Sequence, residues 1–329
     1  MVHQKGENKM KRSKKALLLT ALSLITVGIL VFLGSMYALG FDFGALKAGR
    51  IEQKTYPVSE AFSNIAIDSY TAHISLEKST DGSCKVICSE TKNLDHSVSV
   101  ENGTLCISTR RSTHWYDLFN FAIDETKITV LLPESDYSSL SIGSNTGDVN
   151  IPADFTFESI TANGKTGSFN CFASVSGELN IAAGTGKINI DAVEAGKVRL
   201  SATTGDIYIS SSVINSALEI RVSTGNIHLN DVRCASFNSK TTTGNVLLSN
   251  VTASDSFEIK STTGDIRFDS CDAGSITVRT STGDIIGTLL SDKIFLVDTS
   301  SGSVSVPKTI TGGKCEITSE TGDVVIDIE

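Results

Sequence analysis

Four cations recur on a fixed beat in the C-terminal half of this 329-residue chain: Arg221, Lys240, Lys260 and Arg279. A fold that brought them into line would make a basic strip suited to an anionic envelope polymer or an acidic partner. The plainer reading is a solvated face, with Glu219 and Glu258, two residues away, offsetting like charges that stack beside one another. A column of acids keeps nearly the same beat: Asp148, Asp206, Asp265, Asp284 and Asp323. Stacked carboxylates attract cations, and calcium-binding β-rolls carry an Asp in each short glycine-rich turn. Here the beat is about twice as long, and Ser168, Lys187 and Ser303 interrupt it. We therefore read the column as capping backbone N–H groups at turns.

Other chemistry is sparse. His3, His73, His96, His114 and His228 show no metal-ligand spacing, and the chain has no H-E-x-x-H, G-x-S-x-G or phosphate-binding glycine motif. No catalytic residue, cofactor site or metal site is assigned, and the chain is read as a non-enzyme. The seven cysteines include no C-x-x-C pair. Cys171 and Cys315 fall in apolar columns and are read as small hydrophobes; Cys84, Cys88 and Cys106 are candidates for one disulfide. Trp115, Tyr116, Phe119 and Phe121 form an aromatic cluster. It is either a loop packed over neighbouring strands or a contact surface for a protein or the lipid interface. The net charge of −9 argues against nucleic acid as a partner.

The beat itself belongs to a repeat. Glycine stands at Gly147, Gly167, Gly186, Gly205, Gly225, Gly244, Gly264, Gly283, Gly302 and Gly322, at intervals of 19 or 20 residues. Thr precedes it everywhere except at Ser301. The residues two after it are Val, Ile or Phe, from Val149 to Val324, and positions five and seven before it are mostly aliphatic. Alternation of this kind marks a strand with one buried face. Each repeat reads as strand, Thr-Gly-Asp turn, strand and return loop, the glycine supplying positive φ. One such unit cannot bury its own apolar side, but stacked units can. The predicted fold is all-β, a parallel β-solenoid of about ten rungs over 134–329. A sandwich of antiparallel hairpins is the rival, and the near-constant period favours the solenoid.

Upstream, 58–133 alternates without the glycine repeat and is expected to form a β cap on the first rung, with hairpin signals at Asp81-Gly82 and Asn102-Gly103. At the other end the Gly322 repeat closes the sequence. Asp323, Asp327 and Glu329 are expected to blunt its open edge, unless another chain covers it. Residues 1–15 are basic, and 16–40 carry no charge. That length spans a bilayer, and the basic flank predicts a cytoplasmic N-terminus and an extracellular C-terminal domain. A cleaved signal peptide is the alternative, but the apolar run is long for a signal core and no small-x-small site follows it. Residues 41–57 read as a juxtamembrane linker.

Three features together resemble the bacterial toastrack family of putative adhesins. They are Phe62-x-x-Ile65-x-Ile67 at entry, Ile128-Thr129-Val130-Leu131-Leu132-Pro133 before the repeat, and the serial Thr-Gly-Asp turns. The resemblance covers roughly 58–329. Members with one N-terminal anchor look like accessory proteins of Lia-type and phage-shock-type envelope-stress systems. The resemblance thus implies an extracellular docking or sensing domain with a protein partner in the envelope. An adhesin or wall-polymer binder is the alternative, and a polysaccharide-acting β-helix enzyme a further one resting on fold analogy alone. The family has no established catalytic residues to carry over.

Overall fold

The computed structural model describes residues 3–38, 51–91, 94–111 and 126–329. It divides into two units: 1–50 with 113–124, and 51–112 with 125–329. In the first, a helix α1 spans His3–Ala38. Its described side chains from Leu19 to Leu33 all face outward, and Ser23, Thr26 and Ser35 return their hydroxyls to carbonyls one turn back. Among the described residues no helix is long and apolar enough to cross a membrane.

The second unit is a parallel β-solenoid of about ten glycine-centred turns, as the period predicts. In every rung the segment before the glycine pairs in parallel with its counterpart in the next rung, as Leu218 with Phe237 and Phe237 with Phe257. The segment after it does likewise, as Ile207 with Ile227 and Ile227 with Val246. Glycine is required at the corner on two counts. At Gly225 φ is 147°, and a Cβ would lie 2.1 Å from the Gly205 carbonyl oxygen. The same close approach of one corner to the next repeats along the stack. The aliphatic columns meet inside, and Ile207, Ile227, Val246, Ile266 and Ile285 are each fully buried.

The expected return loop is missing from the middle rungs. Ile207–Thr224 and Val246–Thr263 are continuous strands. A second corner six residues after the glycine turns the chain instead, at Ala192, Ser211, Asp231, Asn250 and Ser270, all with φ near +50°. A single left-handed residue is enough, and Asn and Asp tolerate that conformation better than most. Beyond it, two further columns point inward, including Val232, Val251, Ile214 and Ala253.

The N-terminal strands extend the stack. They are β1 (Glu52–Val58), β2 (Asn64–Thr71), β3 (His73–Lys78), β4 (Cys84–Glu90), β5 (Leu94–Glu101), β6 (Thr104–Arg111) and β7 (Lys127–Leu132). β2 and β3 form a rung beneath that of Gly147, with Ala72 in the glycine's place. β6 and β7 form one more. β5 then pairs antiparallel with β6, and β4 with β7. The Asn102-Gly103 turn joins β5 to β6 as expected. The Asp81-Gly82 turn does not make a hairpin, because β7 lies between β3 and β4 and pairs with both. The strand region also begins earlier than 58: β1 pairs over its whole length with β4, so the linker ends before Glu52. Cys84, Cys88 and Cys106 are free thiols. Cys84 and Cys88 sit four residues apart on one strand, about 13 Å, and both are buried; Cys106 lies on β6, which is not a neighbour of β4.

The largest departure is at the C-terminal end. Strand Gly313–Thr321 of the Gly322 rung pairs with residues 276–282 of the Gly283 rung on one side, Ile276 opposite Cys315. On its other side it pairs with Lys293–Ser301 of the Gly302 rung, Phe295 opposite Cys315. The last repeat in sequence is therefore the second-to-last in space, and the Gly302 rung lies outermost. Asp323 and Glu329 do not blunt an edge. Asp323 accepts the Ser303 N–H at 2.7 Å, and Glu329 accepts from the Ser270 and Thr288 hydroxyls at 2.7 and 2.9 Å. Buried Lys293 pins the bypassing segment, its Nζ 2.6 Å from Asp272 Oδ1.

Candidate functional site

The residue after each glycine caps the next rung rather than its own turn. Asp148 Oδ1 accepts the Ser168 N–H at 2.7 Å, Asp206 accepts that of Asn226 at 2.8 Å, and Asn226 that of Asn245 at 2.8 Å. The chain of bonds continues through Asn245, Asp265, Asp284 and Asp323. His73 Nδ1 performs the same task for Asp148 at 3.2 Å. Lys187, which has no acceptor, interrupts the series. The bond from Ser303 N–H holds the Asp323 carboxyl below the ordinary carboxylate value. Among the described residues no cluster of three or more His, Cys, Asp or Glu side chains could hold a metal ion.

The basic strip forms as the spacing predicts. Arg221 lies opposite Lys240, Lys240 opposite Lys260, and Lys260 opposite Arg279 on adjacent rungs. Its electrostatics are uneven. Lys260 pairs with Glu258, and Arg279 Nη2 lies 3.5 Å from Glu316. Glu219 does not offset Arg221. It is held by Lys197 at 2.7 Å and by Arg199 at 3.3 Å, because its lateral neighbour across the ladder is Arg199. Among the described residues Arg221 and Lys240 have no ion pair, and both are exposed.

These two cations stand at one end of a groove of about 740 Å³. Across the five rungs before Arg221, the strip's own column contains Asp68, then Gly143, Asn163, Ala182 and Ser201. The small side chains leave a trough; Arg221 and Lys240 close it with positive charge, and Lys165 adds a third cation along its length. The remaining lining is short, with Asn145, Thr203 and Ser223 interspersed with Ala183, Ala202 and Val222. At about 4.8 Å per rung, the groove is on the order of 24 Å long. Sequence reasoning found the cations but not the trough, whose signal was the run of small residues in the same column upstream.

The aromatic cluster Trp115, Tyr116, Phe119 and Phe121 lies outside the described residues. Its place in the chain is informative all the same. Residues 112–126 join β6 to β7, where a glycine rung turns with two residues, as between Thr146 and Val149.

The model of the Toastrack DUF4097 family matches residues 62–231 and 215–329. No curated protein matches the chain. Among solved structures, the protein is similar in fold to a putative lipid binding protein from Parabacteroides distasonis. That pair is 19% identical, with 73% of this chain and 98% of the other covered and a TM-score of 0.50. A putative adhesin from the same organism is 17% identical over 82% of this chain and 97% of its own, with a TM-score of 0.47. Another from Parabacteroides merdae is 13% identical over 73% and 97%, with a TM-score of 0.49. With its ten glycine corners stacked in parallel and the family model matched over nearly all of the solenoid, this chain belongs to the Toastrack DUF4097 family.

Proposed function

We propose that this protein is a membrane-anchored extracellular binding module whose groove takes an anionic cell-wall polymer. The observation that carries the reading is the pair of cations, Arg221 and Lys240, unpaired among the described residues, at one end of a trough of small side chains. A chain of phosphodiester or carboxylate groups would lie along the trough and place its charges against Lys165, Arg221 and Lys240. Such contacts are strong where no acid competes for the cation and weaken with salt. The anchor is the uncharged part of α1: its described apolar side chains from Leu19 to Leu33 face outward and its hydroxyls are bonded internally, which suits a lipid environment. The basic residues among the first fifteen, at its N-terminal end, orient the solenoid outside the cell.

The test is binding of the full chain, in detergent micelles, to polyglycerol phosphate, with neutral dextran as control. Replacing Arg221 and Lys240 together by Gln is expected to weaken binding at least tenfold. The same change at Lys260 and Arg279, whose charges are already engaged, is expected to cost much less. Equal losses from both pairs, or none from the first, would remove the groove from the account.

A second reading, docking of a protein partner in an envelope-stress response, is favoured by the aromatic insertion 112–126 at a corner where two residues suffice. Aromatic anchors of this kind dominate protein interfaces. Photo-crosslinking from position 115 in intact cells, followed by identification of the captured protein, separates this reading from the first.

A further inference from the structure

The Gly302 rung differs from the other nine in a way that its outermost place explains. In the strand before the glycine, the positions eight and six residues before it are two of those that point away from the core. In nine rungs these hold Ser, Thr, Asn, Ala, Glu, Lys or Arg; only here are they Ile294 and Leu296. Both are exposed, at 43% and 52%. The inward residues Phe295, Val297 and Val306 are only part-buried, since no further rung covers them, and Val304 is 46% exposed. Ile310 in the following loop is 91% exposed. Among the described residues Lys293–Ser301 pairs only with Gly313–Thr321, and Val304–Ser305 only with Val324–Ile328, so both leave a ladder edge open. A strand apolar on both faces belongs where both faces are covered.

We propose that this end docks a second copy of the same chain, end to end, about a twofold axis. Three observations select that occupant. The open rim is not a lone strand but two strand edges joined by the Ser301-Gly302-Ser303 corner, and only a solenoid end of matching cross-section meets both edges at once. The N-terminal end cannot supply the match, because antiparallel β4 and β5 close it. Head-to-tail growth is thereby blocked, and a closed pair of like ends remains. The rim is also sparsely charged. Between 290 and 310 its exposed charges are Asp292, Asp298 and Lys308, because Lys293 is buried against Asp272, whereas the whole chain carries −9. Two copies therefore meet with little like-charge opposition at the contact.

The experiment places a photo-crosslinking amino acid at position 296 of the full chain, in cells that also express a differently tagged copy. An adduct containing both tags is expected. An adduct with another protein only, or no adduct, would overturn the proposal. In parallel, the mass of the full chain in detergent is measured by sedimentation. It is expected to be that of two chains and to halve in Ile294→Lys/Leu296→Lys, whose altered side chains already face solvent, with the thermal midpoint nearly unchanged. A pair that survives the double substitution would likewise overturn it.

Discussion

The two ends of the solenoid solve one problem in opposite ways. At the N-terminal end the stack passes from parallel rungs to antiparallel β4 and β5, and β1 covers β4 in turn. The hydrogen-bonding edge there ends in a change of strand direction. At the C-terminal end the chain overshoots, lays down the Gly302 rung, and returns to fill the gap with the Gly322 rung. The rung left outermost keeps the parallel direction and carries apolar side chains on both faces. One end is finished by the chain itself, while the other retains the geometry of an interior rung. Closure is therefore not a general property of the repeat but something added at one end and omitted at the other.

The comparison can be sharpened by cutting equivalent side chains on the two outer layers of the C-terminal end. Val324 and Val304 occupy the same column, two residues after their glycines, but Val324 is fully buried and Val304 is half exposed. Val324→Ala is expected to cost about 2–3 kcal/mol in denaturant unfolding, and Val304→Ala less than about 1 kcal/mol. Equal costs, or the reverse order, would return the Gly322 rung to the outside.

A smaller effect is expected at the N-terminal end. His96 on β5 is buried, and neither ring nitrogen has a hydrogen-bond partner. Its neighbours are Glu90 on β4, whose Oε1 is 3.6 Å from Nδ1, Lys54 and Tyr56 on β1, and Asp95 on its own strand. Burial lowers the His96 value below 6.5, outweighing the opposing pull of Glu90. The unfolded chain thus binds the proton more readily than the folded one. The stability held at neutral pH should fall as pH drops below about 6.5. Thermal midpoints measured between pH 7.5 and 5.5 should show this, and His96→Leu should flatten that part of the profile. Burial pushes the Glu90 carboxyl up, but Tyr56, the His96 N–H and Lys54 together hold it below its ordinary value. Its contribution is therefore lost only at more acid pH, outside the histidine window.

Much of the fold was legible because the determinants are local. A glycine every 19 or 20 residues and alternation on either side predict corners, strands and three of the buried columns without reference to distant contacts. The second corner escaped because Ala192, Ser211, Asp231, Asn250 and Ser270 share a backbone conformation but no residue type. The basic strip followed from the period alone. Its division into engaged and free cations did not, because Glu219 is claimed across the ladder by Arg199 and Lys197. The exchange of the last two rungs was invisible to periodicity. Gly302 and Gly322 head repeats of the same hydrogen-bonding pattern, and such a pattern does not record which repeat lies next to Gly283. The outward Ile294 and Leu296 were its one trace in the chain, and they are meaningful only once the stacking order is known.

The spatial order of the last three rungs is tested most directly by amide hydrogen exchange followed by mass spectrometry. Amides of Cys315–Ile317 and Val324–Ile326 lie in rungs covered on both sides and should exchange among the slowest in the solenoid, with those of Phe295–Val297 and Val304 on the outermost rung exchanging faster. Slow exchange at 295–297 combined with fast exchange at 315–317 would mean that rungs stack in chain order, and would contradict the account.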